Sequence, residues 1–119
     1  MTNNKNLGNK GEEIAKSYLI KNGYHLLEQN YRTHHLEIDL IFSYQNKIIF
    51  VEVKTRIETE ESKLEEPLSS WQTKNLQRAM INYCLGKHIN LNMARLDLIN
   101  ILVNKKIHCA RLKHYKDIL

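Results

Sequence analysis

The chain contains few of the residues that mark disulfide-rich, collagen-like or disordered proteins. Its 119 residues include two cysteines, four glycines and one proline. Cys84 and Cys109 stand far apart without the spacing of metal ligands, so we expect buried thiols in a reducing compartment rather than a disulfide framework. With 42% hydrophobic residues and so little proline and glycine, long disorder and low-complexity architecture are excluded.

Signals for a membrane or for export are absent as well. No apolar run approaches the roughly 18 residues that a membrane-spanning helix needs. Residues 1–13 lack the apolar segment of a secretory signal. We therefore expect a cytoplasmic protein without a membrane partner, built as one domain over residues 1–119.

Positive charge is in excess. Lysine and arginine number 18 and aspartate and glutamate 13, which gives a net charge of +5. Such an excess favours an anionic partner, of which nucleic acid is the commonest, although charge that only keeps the protein soluble is the alternative. Within the chain, residues 57–66 predict an acidic, mobile loop. The last strand is basic and suits either a phosphate backbone or a charged sheet edge.

Hydrophobic periodicity predicts two helices and five strands. The first helix is expected over residues 7–22 with Gly23 as its stop, and the second begins at a capping box of Ser69 and Gln72 and ends at Gly86. The strands are expected at residues 24–32, 36–42, 47–56, 94–103 and 106–115. The order α-β-β-β-α-β-β predicts a mixed α/β domain around a central sheet flanked by helices.

Charged residues interrupt two otherwise apolar strands. In the second strand, alternation predicts one face formed by Leu36, Ile38, Leu40 and Phe42. A two-residue loop at 45–46 would place Asp39 on that strand opposite Glu52 on the next, and Glu37 opposite Lys54. Two facing carboxylates require a shared proton or a cation, and a hard divalent ion such as Mg²⁺ takes oxygen ligands. The alternative is a solvated strand end with an ordinary Glu37–Lys54 ion pair.

Several segments together resemble one bacterial protein family. They are GNKGEEIAKSYL, NYR, LEIDLI, IIFVEVKTR, a lysine in the next helix (Lys74) and ARLDLI. In order and spacing they are similar to the YraN-like family, uncharacterised protein family 0102, which is related to PD-(D/E)XK nucleases and archaeal Holliday-junction resolvases. The resemblance implies a restriction-endonuclease-like fold. One departure is Leu36, where the family usually has glycine, and a side chain there would narrow the substrate path.

The resemblance also implies roles for individual residues. Asp39 and Glu52 would bind Mg²⁺ or Mn²⁺, with the backbone carbonyl of Val53 as a further ligand. Lys54 would position the attacking water. Glu12, which follows glycine in the first helix, would be an added ligand or an acid behind the ligands.

Four basic residues are candidates for nucleic-acid binding. Lys74 and Arg78 share a polar stripe of the second helix, which either holds phosphates or is a solvated helix face. Arg56 shares its strand face with Lys54. Arg32 either touches phosphate or forms an exposed salt bridge.

The first functional hypothesis is a metal-dependent nuclease that acts on DNA, with branched or structured DNA as a candidate substrate. The alternative is a catalytically inactive nucleic-acid-binding or assembly module on the same fold, and a weaker one is a protein-interaction domain. A homodimer would suit an enzyme that acts on two strands, but no residue pattern locates an interface. DNA is not distinguished from RNA, nor endonuclease from exonuclease activity.

Overall fold

A computed structural model describes residues 4–119, so residues 1–3 of the assigned domain lie outside the described part. The elements follow the expected order and form a restriction-endonuclease-like α/β fold. They are α1 (Asn4–Lys21), β1 (His25–Thr33), β2 (Leu36–Tyr44), β3 (Lys47–Ile57), α2 (Ser70–Lys87), a 3₁₀ turn (Leu91–Met93), β4 (Ala94–Asn104) and β5 (Cys109–Tyr115).

The five strands form one mixed sheet in the order β1-β2-β3-β4-β5. Only β3 and β4 are parallel, and the crossover that this pairing requires consists of the loop after β3 and α2. The helices cover opposite faces: Leu19 of α1 packs with Phe42, and Met80 of α2 packs with Phe50. Neither described helix combines the length and the hydropathy needed to cross a membrane.

The alternation predicted for β2 is wrong at its centre. Leu40 and Phe42 pack in the core beneath α1, whereas Ile38 packs beneath α2 and Leu36 lies against that second core. The change of face occurs at Asp39, where β2 parts from β3. The strand direction turns at this residue, so the side chains before and after it face different helices.

Helix α1 ends where the sequence predicts. Gly23 has a φ of 92°, in the left-handed region that glycine adopts without steric cost. The chain then reverses, and Tyr24 N–H donates to Leu19 O at 3.0 Å. The predicted role of Gly23 as the stop is confirmed.

Helix α2 ends later than predicted. Gly86 remains inside the helix, and His88 takes the left-handed conformation with a φ of 56°. Ile89 N–H then donates to Cys84 O at 2.9 Å, and the Ile89 side chain packs against the core beneath α2. This hydrophobic contact accompanies the left-handed helix end, so the stop lies where Ile89 reaches the core. The capping box of Ser69 and Gln72 at the other end is confirmed.

The acidic loop is anchored to the sheet, where the sequence predicted mobility. Asn100 Nδ2 on β4 donates to Leu64 O at 2.6 Å and to Glu66 O at 2.9 Å. Two ion pairs join the loop to β5: Glu58 with Arg111, and Glu65 with Lys113. The loop therefore offsets part of the positive charge of the last strand.

The two cysteines are free and differ in exposure. Cys84 is buried in the core beneath α2, as expected, whereas the expectation of a buried thiol is wrong for Cys109. Cys109 is exposed because it opens β5 at the edge of the sheet, outside both cores.

Close contact between α1 and β3 depends on a residue without a side chain. Gly11 is buried against Thr55, and a Cβ at position 11 would overlap the Thr55 hydroxyl group. The helix can approach the strand this closely only with glycine at position 11. Because Glu12 follows directly, the same contact sets where its carboxylate lies.

We expect Gly11→Ala to destabilise the protein by about 1–3 kcal/mol, since the added methyl group forces helix and strand apart. Gly8→Ala is the matched control: it lies in the same helix, nothing is within 4 Å of its Cβ, and alanine should stabilise it by about 0.5–1 kcal/mol. Urea unfolding of both variants measures the difference. Equal effects at the two positions would contradict the packing described here.

Candidate active site

Strands β2 and β3 separate at one end, and the candidate site lies in the gap. Their antiparallel ladder runs from Tyr44–Lys47 to Leu40–Val51, which confirms the predicted register over this part. Beyond it, β3 continues beside β4 to Ile57, while β2 remains beside β1 down to Leu36. We call this gap the fork; it is bounded by residues 36–39 of β2 and 52–57 of β3.

The Asp39 side chain bridges the fork. Its Oδ2 accepts a hydrogen bond from Val53 N–H at 2.8 Å, in place of a backbone partner from β2. The N–H and C=O groups of one strand residue point to the same side of the strand. We therefore expect the Val53 carbonyl to be directed into the fork together with the Asp39 carboxylate.

The predicted pairing of Glu37 with Lys54 is wrong, because the ladder has ended before these residues. Glu37 instead pairs with Arg32 on β1, and its Oε2 lies 3.5 Å from Arg32 Nε. The ordinary ion pair considered as an alternative for Lys54 is therefore not formed. Lys54 contacts α2 instead.

Asp39 and Glu52 lie close together inside the fork, since Asp39 Oδ2 accepts from the backbone of Val53, the residue after Glu52, and the Asp39 carboxylate acts on that of Glu52. Burial, followed by the Asp39 carboxylate, raises the pKa of Glu52 to about 10. A cation at this position would offset the negative charges of the two carboxylates.

A second carboxylate cluster borders this pair. With its amide oriented to satisfy both neighbours, Asn30 Nδ2 donates to Glu12 Oε1 at 3.0 Å and to Glu37 Oε1 at 3.1 Å. Burial, and then the charges of Asp39, Glu37 and Glu13, raise the pKa of Glu12 to about 7. The structure therefore brings Glu12 close to Asp39 and holds it through Asn30.

The amino group of Lys54 is held by the start of α2. Lys54 Nζ donates to Gln72 Oε1 at 3.1 Å, and the same oxygen accepts from Ser69 N–H at 3.1 Å. Ser69 Oγ in turn accepts from Gln72 N–H at 3.1 Å. One capping box therefore both starts the helix and fixes the end of the Lys54 side chain.

The oxygen donors at the fork suit a hard divalent ion that keeps much of its own hydration shell. Within residues 4–119, no three His, Cys, Asp or Glu side chains converge as a complete metal cage. Asp39 and Glu52 supply two carboxylates, and Val53 supplies a carbonyl. Mg²⁺ commonly binds through one or two carboxylates, with water and substrate phosphate as its other ligands. The residues present therefore fit Mg²⁺ or Mn²⁺ better than an ion that needs a closed protein cage.

The four basic residues predicted to bind nucleic acid occupy different surroundings. Arg32 faces Glu37, and Arg56 forms an ion pair with Glu66 of the acidic loop. Lys74 and Arg78 are exposed on α2 and line a groove of about 390 Å³. Only the two α2 residues therefore share one surface.

Sequence reasoning missed three residues at the site: Asn30, Gln72 and Asn100. Gln72 is recognised in the sequence only as a helix cap. Asn100 lies beside Lys54 in the β3–β4 register, and its buried Oδ1 has no hydrogen-bond partner among the described residues. The sequence did contain a signal for Asn100, because it is the single amide side chain inside the apolar run from Leu98 to Leu102. Asn30 has a φ of 51° but no distinguishing sequence pattern.

The fold and the site together define a class of protein. A mixed five-stranded sheet with one helix on each face, and two carboxylates and a lysine at a fork in that sheet, describe a restriction-endonuclease-like domain. The model of "Uncharacterised protein family UPF0102" matches residues 11–101. The chain belongs to this family, as the YraN-like resemblance indicated.

Relatives in the family match over most of their length. A UPF0102 protein of Syntrophomonas wolfei is 39% identical over 100 residues, covering 84% of this chain and 87% of the relative. One from Caldanaerobacter subterraneus is 34% identical over 113 residues, covering 94% and 93%. One from Natranaerobius thermophilus is 36% identical over 118 residues, covering 97% and 98%.

We expect Glu52→Gln to stabilise the protein above neutral pH. Glutamate has an ordinary pKa of 4.5 and here about 10, so between these values the folded state holds a proton that the unfolded state has lost. The stability that the neutral carboxyl group of Glu52 allows is therefore fully present below pH 4.5, and it is lost as the pH rises toward 10. Glutamine removes this pH dependence of stability and keeps a side-chain N–H that can donate to Asp39. At pH 8 we therefore expect the variant to be about 2 kcal/mol more stable than the original protein.

Urea unfolding at pH 5 and pH 8 checks this expectation, with the exposed Glu13→Gln as control. Glu13 forms only an exposed ion pair with Lys16, so its removal should change stability by less than about 0.5 kcal/mol at either pH. A Glu52→Gln variant that gains no more at pH 8 than at pH 5 would show that Glu52 is ionised in the folded protein.

Proposed function

We propose that this protein is a nuclease that hydrolyses phosphodiester bonds of DNA with Mg²⁺ or Mn²⁺, and that branched or structured DNA is its substrate class. The observation that carries the proposal is the proximity of Asp39 and Glu52 inside the fork, with Lys54 on the same strand as Glu52. Burial beside Asp39 raises the pKa of Glu52 to about 10, so a positive charge between the two carboxylates would relieve the cost of the pair. A divalent ion held there would also bind phosphate oxygen.

Four residues of the fork would each have a part in the reaction. A bound Mg²⁺ or Mn²⁺ would polarise the scissile phosphate and lower the pKa of its bound water. Asp39 and Glu52, with the Val53 carbonyl, would hold the ion. Lys54 would orient the attacking water with its ammonium group and stabilise the negative charge that develops on phosphate.

Two further residues support this arrangement. Gln72 accepts the Lys54 ammonium and so limits the positions that this group can take. Glu12, with a pKa of about 7, can hold or release a proton near neutral pH, which is the property of an effective general acid or base.

Binding of DNA would rest on charge and shape. The net charge of +5 supplies salt-sensitive affinity that does not depend on sequence. Lys74 and Arg78, on the outer surface of α2, are suited to contact the phosphate backbone on the side of the sheet that carries Lys54 and Gln72.

A second candidate is a nucleic-acid-binding module on the same fold without turnover. It is favoured by one observation: the exposed Lys74 and Arg78 line a groove that contains no residue of the fork. Arg32 and Arg56, on either side of the fork, face glutamates of the same chain. Two of the four basic candidates are thereby neutralised internally. Binding that survives both EDTA and Lys54→Ala would identify such a module.

The nuclease proposal predicts metal-dependent cleavage of labelled single-stranded, duplex, flap or four-way-junction DNA. Lys54→Ala, Asp39→Asn and Glu52→Gln should each reduce the rate by at least about 100-fold, since each removes a group that acts in the transition state. EDTA should abolish cleavage.

Lys47→Ala is the matched control for Lys54→Ala. It removes the same charge from the opposite end of β3 and should leave the rate within about twofold, since an exposed residue distant from the site carries only general charge. Cleavage that persists in Asp39→Asn and Glu52→Gln would overturn the proposal, as would the absence of cleavage with Mg²⁺ and Mn²⁺ on all four substrates.

The capping box supplies a separate test of Lys54 positioning. Ser69→Ala and Gln72→Ala each break one half of the box and should cost about 1 kcal/mol of stability. Only Gln72→Ala also frees the Lys54 ammonium, so it alone should slow cleavage, by roughly 10- to 100-fold. Cleavage assays and thermal unfolding of both variants separate the two effects, and equal rates for the pair would contradict a role of Gln72 in positioning.

A further inference from the structure

A second cavity, distinct from the groove lined by Lys74 and Arg78, lies on the side of β3 away from β2. It has a volume of about 390 Å³ and lies between the end of the acidic loop, the first turn of α2, strands β4 and β5, and the chain end. Its apolar walls are Pro67, Leu68, Leu98, Tyr115 and Ile118, and Lys113, Thr73 and two glutamates form its polar part. This volume lies at the lower end of the range for sites that bind small organic groups.

Strand register places the cavity beside the carboxylate pair. Glu52 on β3 neighbours Leu98 on β4, and Leu98 neighbours Tyr115 on β5. Neighbouring strands lie about 4.8 Å apart, so the Tyr115 backbone is roughly 10 Å from that of Glu52. Register neighbours present their side chains on the same face, here the face covered by α2. Glu52, Leu98 and Tyr115 therefore form one row that leads from the fork into the cavity.

The chemistry of the walls selects one part of a nucleic acid. An apolar interior with one aromatic ring excludes a phosphate group and favours a flat, weakly polar ring that stacks on Tyr115. Lys113 Nζ lies 5.3 Å from the centre of that ring and 3.4 Å from Glu65 Oε1, so a donor and an acceptor stand together at the cavity wall. A nucleobase has this combination of an apolar face and an edge of donors and acceptors.

We propose that this cavity receives an unpaired nucleobase of the substrate, next to the phosphate held at the fork. The proposal rests on the proposed function, because the nearby phosphate is what brings the base to the cavity. It names the substrate class more closely: a base inside a duplex must be unstacked at a cost of a few kcal/mol before it can enter, whereas a bulged, flap or branch-point base need not. The protein should therefore favour DNA with an unpaired nucleotide beside the cleaved bond.

The test measures affinity with Mg²⁺ in the Lys54→Ala background, in which cleavage is slowed at least about 100-fold while the groups that would hold the ion remain. The probes are a duplex with one bulged thymidine, the same duplex with an abasic bulge, and the fully paired duplex. Stacking of one base on an aromatic side chain is worth about 1–3 kcal/mol, so the thymidine bulge should bind about tenfold more tightly than the abasic bulge. Equal affinity for the two bulges would overturn the proposal.

Two substitutions at one position separate stacking from loop anchoring. The Tyr115 hydroxyl donates to Leu64 O at 3.2 Å, and both Tyr115→Phe and Tyr115→Ala remove this bond. Only Tyr115→Ala removes the ring. Phenylalanine should therefore keep the preference for the thymidine bulge, and alanine should abolish it. Loss of the preference in both variants would overturn a stacking role.

Ile118→Trp tests the cavity independently of Tyr115, because the larger side chain fills the cavity from position 118, beyond the end of β5. We expect it to lower the affinity for the thymidine bulge to that for the abasic bulge. A retained preference in this variant would overturn the placement of the base in the cavity.

The outcomes also distinguish this proposal from the nuclease proposal. Cleavage that depends on Lys54, together with equal affinity for both bulges, would overturn the base site and leave the nuclease. A base preference that requires the Tyr115 ring, without cleavage under any condition, would support the base site and overturn hydrolysis. Absence of binding to all three probes would overturn both.

Discussion

The structure depends on the point where Asp39 bridges two separating strands. A sheet edge left open inside a domain exposes backbone groups that need partners, and the Asp39 carboxylate satisfies Val53 N–H in place of a strand. The same turn moves Ile38 and Leu40 to different cores, so both hydrophobic layers depend on it. Because the bridging group is a carboxylate, closing this gap in the backbone also brings a negative charge to Glu52.

Two acids, Asp97 in the interior and the half-buried Glu52, show what this arrangement costs. Asp97 is fully buried and receives hydrogen bonds from Arg95, His114 and the backbone, which outweigh burial and hold its pKa below the ordinary value. Glu52 has another carboxylate as its partner, and its pKa rises to about 10. Asp97 is therefore a satisfied structural acid that joins β4 to β5. Glu52 retains an unmet demand for positive charge, which is the physical basis for the metal site that we propose at the fork.

The positive charge of the chain is redistributed by its own acidic loop. Glu58 and Glu65 engage Arg111 and Lys113, and Glu66 engages Arg56. This leaves Lys74 and Arg78 on α2 as the basic candidates that share one exposed surface. The loop also forms a wall of the second cavity, so the segment that neutralises the last strand helps to shape the surroundings of the row that leads from Glu52.

The sequence by itself determined the order of the elements, the start of α2 at its capping box and the hairpin register of β2 and β3 as far as Leu40 and Val51. These features arise from local rules: hydrophobic period, end caps and two-residue turns act over a few residues, so they are visible in the chain. The family resemblance added Glu12 to the candidate site and implied that Lys54 positions the attacking water. Only the tertiary structure decided where the ladder stops, that Glu37 turns to Arg32, and that Gln72 holds Lys54. These outcomes depend on contacts between segments far apart in the chain, such as Lys54 with Gln72 and Gly11 with Thr55, which no local pattern of the sequence encodes.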